Sequence, residues 1–412
     1  MNCATMNSAT LHAAAPRGAE PRGAGPRSVA VIRDAAALAA LKPEWDALWQ
    51  RLPEAGLFAR HAWFATWWQH FGAGAGALLQ HRLAGPVALP AARKRLCVLT
   101  LRDSRQRLVG VLPWLCAASR WRRVPVTILG AALNAHAPRS GLLVAAEADL
   151  AQLWRAVCAA GDWDVLLCDG LADGQVGSGW LEALLTAAPL ARSAGRPWRH
   201  LRLALEPDFE ALLAARGSHF RKRERQIART LRELGPVTVQ CAREPAAVAR
   251  AFEQFVAVDA ASWKSGPGEA LAAHPAVAAW YRDLCLRFAA EASCHVWVLH
   301  IGARPAAAFL VLLAGPVAHL LKVSHVAALA SARHAPARVL LGRVLETYCA
   351  EGLAALDFTG DMPFVERWSA SGPRFAPRAL FAPTWRGWCA ARAERLVARV
   401  GGCRRASRTH SA

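Results

Sequence analysis

Lysine, tyrosine and methionine are scarce in this chain. Its 412 residues hold five lysines (Lys42, Lys94, Lys222, Lys264 and Lys322), two tyrosines and three methionines. The 11 cysteines include no CxxC pair and no His/Cys cluster at zinc spacing, so no metal site is implied. There is no Walker loop, HExxH, GxSxG, RNP motif or zinc finger. Their absence argues against P-loop NTPases, zinc proteases, serine hydrolases and RNA-recognition modules. Long apolar runs are missing too. The uncharged stretch Pro305 to Leu321 spans 17 residues and is interrupted by Gly315-Pro316. A spanning helix needs about 20, so the stretch is expected to form two buried strands and no transmembrane segment.

What is present points to a packed body. Apolar residues make up 54% and charged residues 19%, a balance that disordered chains do not carry. The length implies roughly two or three domains. Basic residues number 50 against 30 acidic ones, a formal net charge of +20. That excess favours anionic partners such as phosphates, nucleic acid or acidic lipid, a solvated basic surface being the plain alternative. An odd cysteine count with no apolar signal segment suggests reduced thiols and a cytoplasmic setting. Pro16-Arg17-Gly18-Ala19-Glu20 is followed by Pro21-Arg22-Gly23-Ala24-Gly25, so residues 1–28 are expected to be a disordered leader. Residues 401–412 read as a basic flexible tail.

Periodicity divides the remainder into two stretches of similar plan, 29–198 and 199–400. The first has helical spacing from Leu38 to Phe71, a hairpin over 96–101 and 108–115, and a strand at 126–129. A loop at His136–Gly141, a helix near 149–160 and a strand at 164–168 follow. The second has helices over 218–234, 245–262 and 275–292, a hairpin over 295–301 and 306–313, and a strand at 317–325. After a loop come a helix at 337–351 and a strand at 354–358; a strand at 378–381 and a helix at 385–400 close the pattern. Both halves end a short strand at an aspartate with glycine close behind (Asp169-Gly170; Asp357 and Gly360). The fold class expected is α+β: two tandem domains, each a mixed, mostly antiparallel sheet flanked by helices.

Four stretches of the second half carry a resemblance. They are Ser218-His219-Phe220-Arg221-Lys222-Arg223, Asp259-Ala260-Ala261-Ser262-Trp263-Lys264, Lys322-Val323-Ser324-His325, and Asp357-Phe358-Thr359-Gly360-Asp361 with Trp368 beyond. With the strand order, they resemble the GNAT acyltransferase core. More narrowly, they resemble the tandem-GNAT acetyltransferases associated with cellulose biosynthesis (CelD-like), related to the Fem-type transferases. The resemblance implies acetyl-CoA or another acyl-CoA as co-substrate, with a small-molecule or saccharide acceptor from polysaccharide or cell-envelope metabolism. The sequence departs from the pattern in two places. The loop His334-Ala335-Pro336-Ala337-Arg338 lacks the family's serine and glycine, and His325 stands where the family has tyrosine.

The chemistry these residues could perform follows from their types. A loop feeding a helix N-terminus offers free amides and a positive dipole end to a pyrophosphate. Here the amides would be those of Ala337, Arg338, Val339 and Leu340, with Arg333 or Arg338 adding charge. Acyl transfer needs a group that takes a proton from the acceptor, and His325 has the right intrinsic range. Asp357, Asp361 and Asp259 are candidate bases or orienting carboxylates, a strand-end turn acid being the other reading for Asp357. Trp263, Lys264 and Trp368 could wall the acceptor site. Arg221 opens the basic helix 218–234, which could meet tRNA or an anionic membrane surface. An aminoacyl-tRNA-dependent transferase, or a scaffold that has lost catalysis, are the rival readings.

Overall fold

The computed structural model describes residues 28–409 apart from 53, 75, 82–85, 147, 149, 162, 176–177, 189, 330–333, 361–364 and 369–370. It divides into two units. The first takes residues up to Trp198 and again from Arg374, and the second runs from Arg199 to Pro373.

In the first unit the elements are β1 (Ser28–Ile32), α1 (Ala35–Ala40), α2 (Lys42–Arg51), α3 (His61–Phe71), β2 (Gly76–His81), β3 (Pro86–Arg102), β4 (Leu108–Trp121), β5 (Val124–Ala131), β6 (Leu143–Val144), α4 (Leu150–Ala159), β7 (Val165–Cys168), α5 (Ser178–Ala187), β8 (Ala191–Ala194) and β9 (Trp198–Arg199). The second unit follows with β10 (Arg202–Ala204), α6 (Phe209–Ala214), α7 (Ser218–Arg232), β11 (Val237–Ala242), α8 (Pro245–Ala260), α9 (Pro275–Ala289), β12 (Cys294–Ile301), β13 (Arg304–Ala314), β14 (Val317–His325), α10 (Pro336–Ala350) and β15 (Ala355–Asp357). The chain then returns to the first unit with β16 (Arg374–Phe375), β17 (Arg378–Phe381) and α11 (Trp385–Thr409).

The sheet of the first unit runs β1-β3-β4-β5-β7-β17-β8, with β2 on β3 and β6 on β4. Its one parallel pair is β5 with β7, and β17 lies between β7 and β8. Two expectations change here. The strand 378–381, which the sequence pattern attaches to the second half, completes the first sheet, because its partners are fixed by pairing and not by chain proximity. The last helix does not stop at Val400; α11 continues through Gly401-Gly402 to Thr409, into the stretch expected to be a flexible tail. Bulky aromatics fill this unit, with Trp45, Trp67, Trp121, Trp154 and Trp163 fully buried.

The sheet of the second unit runs β10-β15-β14-β13-β12-β11, antiparallel except where β14 meets β15. α10 lies on one face. Leu340, Leu341, Val344 and Tyr348 pack there with Trp297, Phe309, Leu320 and Val323. α8 and α9 pack against β12 and β13. The strand periodicity holds until β14, where the register steps from Leu310↔Lys322 to Val311↔Leu320 and leaves Leu321 as an extra residue. Such a bulge inverts the facing of everything beyond it. Leu320 and Val323 therefore both join the α10 core, while Lys322 and Ser324 point to the other face.

Candidate active site

Two chain ends meet at the top of β14. α8 finishes at Ala260, and the Ser262 hydroxyl donates to the Asp259 carbonyl (2.7 Å) and accepts from the Lys264 amide. This turns the chain into a short 3-10 segment, Trp263–Ser265, which delivers Trp263 and Lys264. The Ala327 amide donates to the Ala261 carbonyl at 2.9 Å and fastens the strand end to the helix end.

Lys264 reaches inward with all three of its donors engaged. Its Nζ lies 2.5 Å from Asp259 Oδ1, 2.7 Å from Ser324 Oγ and 2.8 Å from the Val323 carbonyl. The Ser324 hydroxyl in turn donates to Asp259 Oδ1, and the Leu271 amide donates to Oδ2 at 2.7 Å. Burial alone would raise the Asp259 pKa, but Lys264, Ser324 and the Leu271 amide together bring it below the usual carboxylate range. Burial lowers the Lys264 pKa, and the Asp259 charge opposes that. The result is a buried, fully bonded ion pair.

Above this floor sit the reactive groups. His325 ends β14 half-buried, its ring 4.6 Å from the Trp263 ring at 38°. Trp263 itself is 48% exposed, so the pair faces solvent. His325 Nδ1 is buried with no partner among the described residues. Burial first, and then the Lys264 charge, lower the His325 pKa, which keeps the ring neutral and able to accept a proton. Lys322 projects its ammonium over the Tyr281 ring at 5.4 Å. Burial, then the nearby Lys264 charge, bring its pKa down to about 8.

The strands make the second feature. β14 and β15 pair in parallel only over Val317–His319 and Ala355–Asp357. β15 stops because Asp357 Oδ1 accepts the Thr359 amide (2.9 Å), with Thr359 in the left-handed region at φ 47°. The Thr359 hydroxyl closes the junction on the Leu320 carbonyl at 2.5 Å. Beyond it β14 continues to His325 paired with β13, and among the described residues no strand pairs with its other edge.

Several expected site residues fall elsewhere. Asp357 is fully buried and forms the turn that ends β15, with Oδ2 3.9 Å from His319 Nδ1. By register it lies six residues below His325 along β14, roughly 20 Å at the strand rise, so the two do not share a reacting centre. Trp368 is a core residue, edge-on to Phe220 at 4.9 Å and 3% exposed, and walls no cleft. At the start of α10, the Arg338 and Val339 amides both donate to the Ala335 carbonyl, and Leu340 belongs to the helix ladder. Only the Ala337 amide of the four is left without an acceptor among the described residues. Arg338 pairs with Glu224 of α7 and is not held open for a phosphate. Arg221 on α7 donates to the Ala214 carbonyl. Arg333 and Asp361 lie outside the described residues. The structure does bring together Asp259, Trp263, Lys264 and His325. It adds Ser324, Lys322 and Tyr281, to which the sequence assigned no role; a lysine and a serine within the strand Val317–His325 were the available signal.

Among the described residues no group of three or more His, Cys, Asp or Glu is placed to hold a metal, and no helix is long and apolar enough to cross a membrane. Residues 218–368 match the family described as Acetyltransferase (GNAT) domain. No curated protein matches the chain. Among solved structures, FemX is similar over 81% of this chain and 95% of its own, at 10% identity and a TM-score of 0.50. The C-terminal domain of a putative lysylphosphatidylglycerol synthetase from Agrobacterium fabrum matches at 12% identity and a TM-score of 0.46, covering 83% of this chain and 92% of that one. A tandem GNAT protein from the clavulanic acid biosynthesis pathway matches at 12% identity and a TM-score of 0.43, covering 86% and 99%. The span 218–368 holds α7 through β15, the parted strands and the Lys264 floor, so the stretch that matches a GNAT acetyltransferase domain is the one that carries the site described above.

Proposed function

We propose that the second unit binds an acyl-CoA along the unpaired edge of β14 and transfers its acyl group to an amine or hydroxyl acceptor. The observation that carries this reading is the parting of β14 from β15 after three paired residues. A strand edge with no neighbour presents backbone amides and carbonyls, and the pantetheine arm of coenzyme A carries amides that pair with such an edge. The phosphates then lie toward the start of α10, where the Ala337 amide and the helix dipole favour negative charge.

His325 is the proton acceptor in this reading. The acceptor nitrogen or oxygen attacks the thioester carbonyl carbon, its proton passes to the neutral imidazole, the C–S bond breaks, and the thiolate takes the proton as the free thiol leaves. Trp263 gives the acceptor a flat apolar wall beside the imidazole. Lys264 and Asp259 hold the strand end and the Trp263 segment in place; their donors and acceptors are spent on each other and on β14. An acceptor from polysaccharide or cell-envelope metabolism, in the manner of the CelD-like proteins, is the reading we carry forward from the sequence resemblance.

Titration calorimetry with acetyl-CoA and longer acyl-CoAs tests the donor. We expect saturable binding, and turnover of thioester by the wild type that falls about a hundredfold in His325→Gln with donor affinity retained. No binding at millimolar ligand ends the proposal. A second donor is favoured by a separate observation. Lys222, Arg225, Arg229 and Arg232 form one exposed stripe on α7, at i, i+3, i+7 and i+10, with no carboxylate partner among the described residues. An aminoacyl-tRNA donor would use that stripe, and its binding would weaken steeply with salt; a flat salt response removes it.

A further inference from the structure

Of the 17 tryptophans, three are conspicuously exposed, and only Trp263 belongs to the site above. The other two sit on α11. Its inner side is firmly seated in the first unit. The Gly387 amide donates to the Thr384 hydroxyl (2.9 Å), which donates to Asp164 (2.7 Å). A Cβ at Gly387 would collide with the Ala382 carbonyl at 2.3 Å. Farther along, Glu394 is buried and accepts from Trp121 Nε1 (3.1 Å) and Arg122 Nε (2.9 Å). Ala390 and Ala391 complete the buried face. The helix is therefore a fixed element with one side turned to water.

That outer side is unusual in composition. Trp385 is 62% exposed, Trp388 58%, Leu396 61% and Val397 41%. Arg386, Arg392 and Arg395 are exposed among them. Trp385, Trp388, Arg392 and Leu396 follow at i, i+3, i+7 and i+11, so they share one face. Each indole carries a guanidinium: Arg386 lies 5.3 Å from the Trp385 ring centroid and Arg392 4.8 Å from that of Trp388. The only acid between Trp385 and Thr409 is Glu394, which is buried and paired, so the helix itself sets no exposed carboxylate against these cations. Arg399, Arg404, Arg405 and Arg408 extend the basic sequence along the same helix.

We propose that the outer face of α11 docks on an anionic membrane surface, lying in the plane of the headgroups. Indole and guanidinium side by side suit that depth, the ring sitting at the boundary of the acyl chains and the guanidinium on lipid phosphates. Leu396 inserts slightly deeper. A single-stranded nucleic acid would also offer phosphates and stacking surfaces, but an exposed leucine has no part in such binding, and lipid uses all three residue types. The docking is independent of the acyl-transfer chemistry of the second unit.

Vesicle sedimentation of the full chain decides the matter, using phosphatidylglycerol–phosphatidylcholine mixtures against phosphatidylcholine alone. The protein should pellet with the anionic vesicles only, and high salt should weaken this about tenfold or more. Trp385→Ser/Trp388→Ser and, separately, Arg392→Glu/Arg395→Glu should each lose at least about tenfold in vesicle affinity, with unchanged circular dichroism. Vesicle binding unaltered in both variants overturns the proposal. So does equal binding to neutral vesicles. A wild type that light scattering shows to be dimeric, made monomeric by the tryptophan changes, assigns the face to a second copy instead. Binding to single-stranded RNA with no affinity for vesicles assigns it to nucleic acid.

Discussion

Both units place two parallel strands side by side in an otherwise antiparallel sheet, yet among the described residues only the second pair leaves an open edge. In the first unit β5 pairs with β7 over Ile128–Gly130 and ends one residue later, at Ala131. The loop that follows folds back onto its own unit. The Ser140 amide donates to the Gly170 carbonyl (2.8 Å), and the Ser140 hydroxyl donates to the Asp169 carbonyl (3.0 Å). Gly141 lies so near the Ala59 amide that a Cβ would sit 2.5 Å from it. Arg139 is buried with its guanidinium 4.3 Å from the Phe58 ring and 5.2 Å from that of Phe375. In the second unit β14 outruns its partner by six residues and carries His325 at its end. Among the described residues one strand pair is thus sealed by its own loop while the other keeps an unpaired edge, and the difference lies in how far the first strand of each pair extends.

The largest effect expected on this comparison comes from the floor of the open side. Lys264→Met leaves Asp259 buried and uncompensated and should cost the second unit about 3–5 kcal/mol in chemical denaturation. The double change with Asp259→Asn should recover part of that loss, and a double variant no more stable than the single would contradict the pairing. Acid comes next. Burial, aided by the Arg243 charge, holds His295 down at about 4 instead of 6.5, beside the Tyr348 hydroxyl and Trp297. The folded ring stays neutral where the unfolded chain would take a proton. Stability is therefore full above pH 6.5 and lost as pH falls from 6.5 toward 4, by about 3 kcal/mol. Unfolding followed by a probe in each unit should show the second weakening across this window, and a flat profile would contradict it.

Smaller effects sharpen the contrast from the sealed side. Arg139→Leu removes the guanidinium between two rings and should destabilise the first unit by about 2 kcal/mol while acyl-CoA affinity stays as in the wild type. A variant that gained a second binding stoichiometry in calorimetry would show that the arginine alone fills a competent cleft. The smallest change in stability belongs to Trp263→Ala, within about 0.5 kcal/mol for so exposed a side chain, although acceptor KM should rise. A stability loss as large as that of a core tryptophan would place Trp263 in the interior after all.

Much of the scaffold was legible because local pattern decides it. The strand 317–325 and the strand 378–381 lie where alternation puts them, and the helices of the second unit begin at their prolines. What was hidden depends on contacts distant in sequence or on a single inserted residue. A period of two carried upward from Leu320 would send Lys322 and Ser324 into the α10 core; the bulge at Leu321 reverses that, and only the polar character of those two residues hints at it. Trp263 and Trp368 look alike as sequence, yet one stacks on His325 at the surface and the other is packed edge-on to Phe220. Arg338 had the character of a phosphate ligand until Glu224, 114 residues earlier, claimed it. The partners of β17 were equally out of reach, since its alternation shows a strand and not a sheet.

The return of β17 to the first sheet has a consequence for how this protein comes off the ribosome. Among the described residues β8 has no neighbour other than β17, and β7 has β17 as its outer one, so both wait for Arg378–Phe381 with unsatisfied backbone groups. The second unit, whose residues form one uninterrupted stretch, can mature during that interval. A nascent chain halted just before residue 374 should consequently hold a finished second unit and, in the first, an unfinished sheet whose bare rim invites aggregation.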